Sequence, residues 1–514
     1  MKDLNFPINI SSNRQLFMDQ RFISNGKNID VKVHIPRKTG ETNFIIESSS
    51  HQRIGGYSSV MYEDGEYKMW YVENNYRMDG IFICVKYARS DDGINWETPE
   101  LGIAPEYDKK PNNVVLGYGA GGVSGGTGDG TCMVFLDPLD TSGNKYKMTA
   151  RHGLKEPLGL YSSSDGINWQ MELETVLDDG RFSGNTGVFH LDSQNVIFWD
   201  DRISKYVAFV RKNYEKHGQF RTIARGESKY LSGFHNVNDM ETVLQTDKHD
   251  MQVETEHGWL PACDFYTNAT IKYPWAQDAY FMFPNIYFKY DTFLPEFQED
   301  KPRNAGPIDI RFAASRDGIS WNRYDREVFV GIGGKDDFDA YSLYMLNGIV
   351  PGQNNDMYLY YMGSDIIHGW DRGDEYEERE NRILTATGFD SKRRVSAISR
   401  LVIRRDGFTS VRADYKGGEF TTPELIFKGS HLVLNVDTAA AGILRVGILD
   451  LEGQYIDGYS IDDCKTIHTC NDINKTVEWS KGSDVSALVG KSVKLHFQMC
   501  DTDIYAFQFI DKRY

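Results

Sequence analysis

The sequence predicts an all-β chain: a five-bladed β-propeller over residues 51–425 followed by a C-terminal antiparallel β-sandwich over 426–514, with residues 1–50 packing on the propeller as an N-terminal segment. Three observations carry this reading. A heptapeptide recurs along the chain, the composition favours strands and tight turns, and the repeat stops near residue 425, where a series of short strands begins.

The heptapeptide reads Ser90-Asp91-Asp92-Gly93-Ile94-Asn95-Trp96, then Ser163-Ser164-Asp165-Gly166-Ile167-Asn168-Trp169, then Ser315-Arg316-Asp317-Gly318-Ile319-Ser320-Trp321. Worn versions stand at Gly226 to Leu231 and at Arg404-Arg405-Asp406-Gly407-Phe408. Asp-Gly is a tight-turn pair, with glycine supplying positive φ and aspartate bonding back onto the turn backbone. The Trp is expected to plug the gap between neighbouring blades. Five marks at intervals of about 65–90 residues exceed a compact blade, so inserted loops are expected.

Each mark closes a run of alternating strands. The first cycle holds Ser59 to Tyr62, the turn Glu63-Asp64-Gly65-Glu66, Tyr67 to Tyr71, and Ile83 to Ala88 before its heptad, which makes a four-stranded meander. The second runs Thr131 to Leu136, Lys145 to Ala150 and Leu158 to Ser162. The third runs Asn195 to Trp199, Tyr206 to Arg211 and Thr222 to Arg225. The fourth has Ala269 to Tyr273, Ala279 to Phe283 and Asp309 to Ala314; the fifth has Leu343 to Val350, Met357 to Met362 and Ser396 to Ile403. Beyond residue 425, His431 to Val436, Ile443 to Leu449, Thr476 to Trp479, Ser492 to Gln498 and Ile504 to Ile510 read as the sandwich. Its roles are bracing the propeller or binding carbohydrate.

Composition agrees. Aromatic residues make up 13% of the chain, and 48 glycines fit a fold with many turns. At 514 residues the chain exceeds what one core usually organises. A net charge of −17 argues against a nucleic-acid partner, and no basic amphipathic stretch or long apolar run points to a membrane. The opening Met1 to Pro7 is followed by no apolar secretion signal, so a cytoplasmic setting is expected. Six scattered cysteines show no metal spacing and are expected as thiols; Cys464 and Cys470 are the pair that could meet across a loop. No cofactor is expected. A structural calcium would have to be assembled from separate segments, because no contiguous loop has calcium-ligand spacing. The sequence does not set the oligomeric state.

The Ser-x-Asp-Gly-x-x-Trp heptad resembles the blade signature of the five-bladed propeller glycosidases, a superfamily of fructosidases and invertases, arabinofuranosidases and xylosidases, and β-mannoside phosphorylases. The resemblance spans residues about 50–425. Sialidase Asp-boxes are similar in look but carry an extra residue between Asp and Gly. Gln15 to Ile23, with Leu444-Arg445-Val446 and Ile456 to Tyr459, is similar to a poorly characterised bacterial group of the same superfamily. The resemblance implies carboxylates near the start of each blade's innermost strand. Glycoside cleavage needs two, one donating a proton to the leaving oxygen and one activating water or attacking the anomeric carbon.

The chain places an aspartate at that point in four cycles: Asp129, Asp192, Asp264 and Asp339. Any one could simply cap a turn; as a set on one axis they are candidate catalytic residues. Blade one departs from the family, with Gly56-Tyr57-Ser58-Ser59 where a catalytic Asp is usual, so Asp19 or Glu73 is considered for that space. Candidate substrate contacts are Arg53, Tyr57, Arg151, His152, Arg211, Tyr266, Asn268 and Tyr341, with His368 in a loop that could cover the pocket. The expected function is an exo-acting glycoside hydrolase on an oligosaccharide or small glycoside. The alternatives are a glycoside phosphorylase, or a non-catalytic carbohydrate-binding protein, for which the blade-one departure is the best argument.

Overall fold

The computed structural model describes residues 7–39, 52–77, 80–103, 112–118, 132–151, 158–178, 191, 193–215, 219–234, 236–255, 258–290, 306–324, 326–368 and 396–511, with backbone alone at 52–53, 75–77, 80–82, 118, 214–215 and 219. The described elements are β-strands and short 3-10 turns. None is a helix long and apolar enough to cross a membrane.

Successive antiparallel sheets stand side by side in a propeller-like arrangement. The first contains Ser59–Glu63, Glu66–Arg77, Gly80–Ser90 and Val114–Tyr118, with Gln52–Ile54 added along Glu66–Arg77. The second contains Met133–Leu136, Tyr146–Arg151, Leu158–Ser163 and Gln170–Leu177; the third contains Val196–Asp200, Lys205–Glu215, Gln219–Ser228 and Glu241–Leu244. The next region is less regular. Cys263–Thr267, Asn285–Phe288 and Ile308–Ile310 form one antiparallel run, and Ile271–Lys272, Tyr280–Met282 and Ala313–Ser315 another. Ser342–Met345, Asp356–Ser364 and Ser396–Arg404 follow, and Arg37–Lys38 from the N-terminal segment pairs with Ser396–Arg404 as an outer strand.

The three clear heptads share one geometry. In the first, Asp92 Oδ1 accepts from the backbone N–H groups of Ile94 and Asn95, both at 2.7 Å, and Ser90 Oγ accepts from Gly93 N at 2.9 Å. Gly93, Gly166 and Gly318 lie at φ +69°, +77° and +72°, the left-handed region that favours glycine. Each heptad Trp meets an aromatic of the neighbouring sheet edge to face: Trp96 with Tyr360, Trp169 with Trp70, and Trp321 with Phe209. The indole N–H of Trp70 also donates to Gly166 O. The Trp thus fills the gap between neighbouring sheets.

Burial pushes the Asp92 carboxyl up, but the N–H groups of Asn95 and Ile94 outweigh it and hold its pKa at about 2; Asp165 is held at about 2 in the same way. A carboxylate depressed in the folded state stabilises it fully above its unfolded pKa of about 3.9, and that stabilisation is lost as pH falls through about 2. Thermal unfolding followed between pH 6 and 2 is therefore expected to show stability falling below about pH 4. Asp92→Ala is expected to flatten part of that fall.

Neighbouring sheets are stitched together by side-chain hydrogen bonds. Ser59 Oγ donates to Cys132 O, Thr149 Oγ1 to Asn195 O, and Ser193 Oγ to Tyr266 O. Gln194 spans two neighbours, donating to Met345 O and accepting from Ala269 N. Asn347 donates to Thr270 O and Ser58 O and accepts from Val60 N, which returns to the first sheet. This stitching explains why the expected strand from Ala269 to Tyr273 is broken. Asn268 gives its side-chain amide to Gln194 O and Phe209 O and accepts from Thr270 N, while Ala269 takes φ +40°.

Residues 409–510 gather around a separate apolar core dominated by Phe420, Phe497, Phe507, Phe509 and Trp479. Its frame is two long paired strands, His431–Leu449 and Lys494–Ile510, with irregularities between Asn435 and Val436 and between Thr438 and Ile443. The N-terminal segment is woven into this sheet. Gln15–Leu16 pairs with Lys494–Ile510, Asn25–Lys27 with Gly418–Thr421, and Asp30–Val33 with Thr409–Ala413. Phe17 and Phe22 fill the core against Phe507. All six cysteines are free, Cys464 and Cys470 included.

Candidate active site around Asp264

Where the inner strands begin, aromatic side chains from several sheets collect around Tyr266. Tyr57 Oη donates to Tyr266 Oη at 3.0 Å, and the two rings stack at 6.4 Å. Tyr344 meets Tyr266 edge to face at 5.9 Å, Tyr287 lies 6.1 Å away, and the His368 ring sits edge-on at 4.7 Å. The Tyr residues are buried and His368 is half-buried. Cations cover the same ring: the Arg221 guanidinium is 5.0 Å from its centroid and the Arg211 guanidinium 5.9 Å.

Asp264 lies two residues before Tyr266 on the same face of Cys263–Thr267, directly opposite Tyr287. Its side chain is completely buried. Oδ2 accepts from Arg221 N at 3.2 Å and Arg221 Nη1 at 3.3 Å, and pairs with Lys289 Nζ at 3.2 Å. Oδ1 has no hydrogen-bond partner among the described residues. Burial works against the charge on Arg221, but Asp264, with Tyr266, Tyr287 and Tyr57, more than offsets it and raises the Arg221 pKa. A buried carboxylate with one oxygen fixed by two cations and the other unengaged can accept a hydrogen bond, or offer an electron pair, to a ligand lying on the tyrosines.

The structure brings Asp264, Tyr57, Tyr266, Arg211 and His368 of the sequence candidates into one cluster. Arg151 is buried at the end of Tyr146–Arg151, and Tyr341 is half-buried beside Ser342–Met345. Others go elsewhere. Asp339 pairs with Lys38 at 2.6 Å and accepts from Tyr361 Oη at 2.7 Å, and Tyr361 belongs to the core on the sheet face opposite that of Tyr344. Asp19 caps the turn Gln20–Phe22 and is gripped by Arg316 at 2.9 and 3.0 Å. Asn268 serves the stitching between neighbouring sheets. Asp129, Asp192, His152 and the Arg53 side chain lie outside the described residues. Glu73 is buried and paired with Lys86 at 2.7 Å.

In the first sheet, the run that leads into Ser59–Glu63 has no carboxylate at Gly56 to Ser58, and the packing at Gly56 leaves no room for one there. A Cβ on Gly56 would lie 2.5 Å from Cγ of Tyr344, so the ring rests on the glycine backbone and occupies the space of any side chain there.

Sequence reading missed Arg221, Tyr287, Tyr344 and Lys289. Tyr287 and Lys289 alternate on one face of a strand, Asn285–Phe288 and the residue after it, that Pro284 separates from the run before it. The alternation of Asn285, Tyr287 and Lys289 was the available signal. Among the described residues no group of three or more His, Cys, Asp or Glu is placed to hold a metal ion.

No family model matches this chain, and no curated protein does. Among solved structures it is similar to one described as a glycoside hydrolase, at 15% identity and a TM-score of 0.47, covering 73% of this chain and 94% of that one. A second is a glycoside hydrolase family 43 arabinoxylan arabinofuranohydrolase from Bacillus subtilis in complex with cellotetraose, at 11% identity and a TM-score of 0.37, covering 90% and 96%. A third comes from work on the GH130 family of mannoside phosphorylases, described as containing glycoside hydrolases that target β-1,2 mannosidic linkages in Candida mannan; identity is 14%, the TM-score 0.43 and the coverage 76% and 96%. Fold similarity at this level does not transfer a reaction.

Proposed function

We propose that this protein is a glycoside hydrolase acting on an oligosaccharide or small glycoside in the axial pocket of a five-bladed propeller, with residues 426–514 as an appended β-sandwich. The observation that carries the reading is Asp264, completely buried with Oδ1 unengaged, two residues before Tyr266 on the strand whose Tyr266 ring gathers Tyr57 and Tyr344. Aromatic faces take the C–H face of a sugar, and Arg211 and His368 offer donors to its hydroxyls. The heptad resemblance supports the same reading.

Hydrolysis requires a proton donor and a second carboxyl that attacks the anomeric carbon or activates water. With Arg221 and Lys289 on Oδ2, Asp264 suits the second role, its Oδ1 lone pair facing the reaction. Asp129 and Asp192 are the proposed donors. Their separation from Asp264 sets the stereochemical outcome, roughly 5–5.5 Å for retention and 6.5–9.5 Å for inversion.

Three cations around one site, Arg211, Arg221 and Lys289, favour one second reading, a phosphorylase in which inorganic phosphate replaces water. The test is sugar release from a panel of aryl glycosides and disaccharides, followed by NMR of the anomeric protons with and without phosphate. Release independent of phosphate supports the hydrolase; strict phosphate dependence supports the phosphorylase. Binding without any release leaves a carbohydrate-binding protein and sinks both.

A further inference from the structure

The chain that delivers Asp264 to the site first makes a two-stranded hairpin of its own, Gln252–Thr255 paired with Gly258–Pro261. One face of the hairpin points inward, with Leu260 buried and Val253 half-buried. The other carries Trp259, 64% exposed, and its cross-strand partner Glu254, also exposed. Every other described tryptophan is buried or half-buried. An exposed indole forgoes a large hydrophobic gain, and here the backbone is fixed so as to keep it exposed.

The fixing is specific. At the hairpin base, Ala262 N donates to Met251 O at 2.9 Å, and Lys289 N donates to Ala262 O at 2.9 Å. Arg323 grips Asp250 with both terminal nitrogens, at 2.7 and 2.8 Å, and Arg326 holds Asp247 at 2.7 Å. The same Arg323 guanidinium lies over Phe265, the residue after Asp264, at 5.1 Å. One clamp therefore mounts both the hairpin and the carboxylate. Five residue steps of chain lead from Trp259 to Asp264, a span on the order of 17 Å at most. That is the reach of a few linked sugar rings.

We propose that Trp259 and Glu254 form a distal sugar subsite, the indole stacking on one ring of an oligosaccharide and the carboxylate accepting from its hydroxyls, while the reacting end lies at Asp264. The proposal rests on the reading of the Asp264 cluster given above. It makes the substrate a chain of at least three sugars. Cross-strand neighbours lie about 5 Å apart, the spacing at which a flat apolar ring and a hydrogen-bond acceptor meet one sugar together.

The test compares kcat/KM along xylo- and manno-oligosaccharides of two to five units. Trp259→Ala is expected to lower the ratio of tetrasaccharide to disaccharide kcat/KM about tenfold, mainly through KM, with Trp259→Phe restoring most of it. A loss equal at every length, or no loss, overturns the proposal. A second arm needs no turnover: xylotetraose and mannotetraose are titrated into Asp264→Asn with and without Trp259→Ala. About tenfold weaker binding with the second substitution supports the subsite even if hydrolysis proves wrong. Equal binding in both, in a protein that still cleaves glycosides, rejects the subsite and leaves the hydrolase standing. Loss of a dimer on Trp259→Ala with sugar binding unmoved makes the hairpin a self-association surface and also overturns it.

Discussion

Asp264→Asn is expected to lower kcat/KM about 10³-fold on whichever glycoside the wild-type protein cleaves, with the loss in kcat. The substitution keeps the shape of the side chain and removes the charge that Oδ1 offers. It also removes the counter-charge that Arg221 and Lys289 share at Oδ2, so the melting temperature is expected to fall as well. Circular dichroism at the assay temperature separates the two effects. Tyr266→Phe, which deletes one hydroxyl beside Tyr57 and no charge, is expected to lose activity by a smaller factor with little change in stability. Wild-type kcat/KM in folded Asp264→Asn would remove Asp264 from the chemistry.

The largest effect on stability is expected at Asp406. Asp406 belongs to the worn fifth heptad, sits at φ +60° and is 2% exposed. Its carboxylate accepts from Arg14 Nε at 2.6 Å, Tyr273 Oη at 2.8 Å and Asn435 Nδ2 at 3.0 Å, and its own N–H donates to Tyr273 Oη at 2.9 Å. One residue thus ties the N-terminal segment, the propeller-like sheets and the C-terminal sheet. Burial, reinforced by Asp406, pushes the Tyr273 pKa well up, so Tyr273 stays a donor. Asp406→Ala strips the counter-charge from the half-buried Arg14, leaves the buried Tyr273 and Asn435 without their acceptor, and places a Cβ-bearing residue without a side-chain acceptor at positive φ. The expected cost is about 3–5 kcal/mol, measured by urea or thermal unfolding. A loss below about 1 kcal/mol would show that the junction is held by the Phe17 and Phe22 packing alone.

These two positions show what the sequence made legible. The heptads could be read directly, because an Asp-Gly turn closed by Ser and capped by Trp is local chemistry, and all three adopt the same turn. The aspartates of four cycles were equally visible, but the surroundings of Asp264 and Asp339 were not. Asp264 and Asp339 look alike in sequence; one meets Arg221 and Lys289 beside Tyr266, and the other meets Lys38 and Tyr361. Which face a carboxylate takes depends on register and on partners far along the chain, as Lys38 is from Asp339. The N-terminal strands were hidden for the same reason, since their partners lie some 400–500 residues away. Asp19, expected near Gly56 to Ser59, instead caps a turn under Arg316, and the Tyr344 ring rests on Gly56.

The central claim is that a sugar binds with its reacting end at Asp264, and the most direct measurement is a crystal structure of Asp264→Asn soaked with an oligosaccharide that the wild type cleaves. The expected result is a sugar ring against Tyr266, with a sugar atom within hydrogen-bond distance of the residue 264 side chain. A sugar bound only elsewhere, with the Tyr57, Tyr266 and Tyr344 cluster empty, would contradict it.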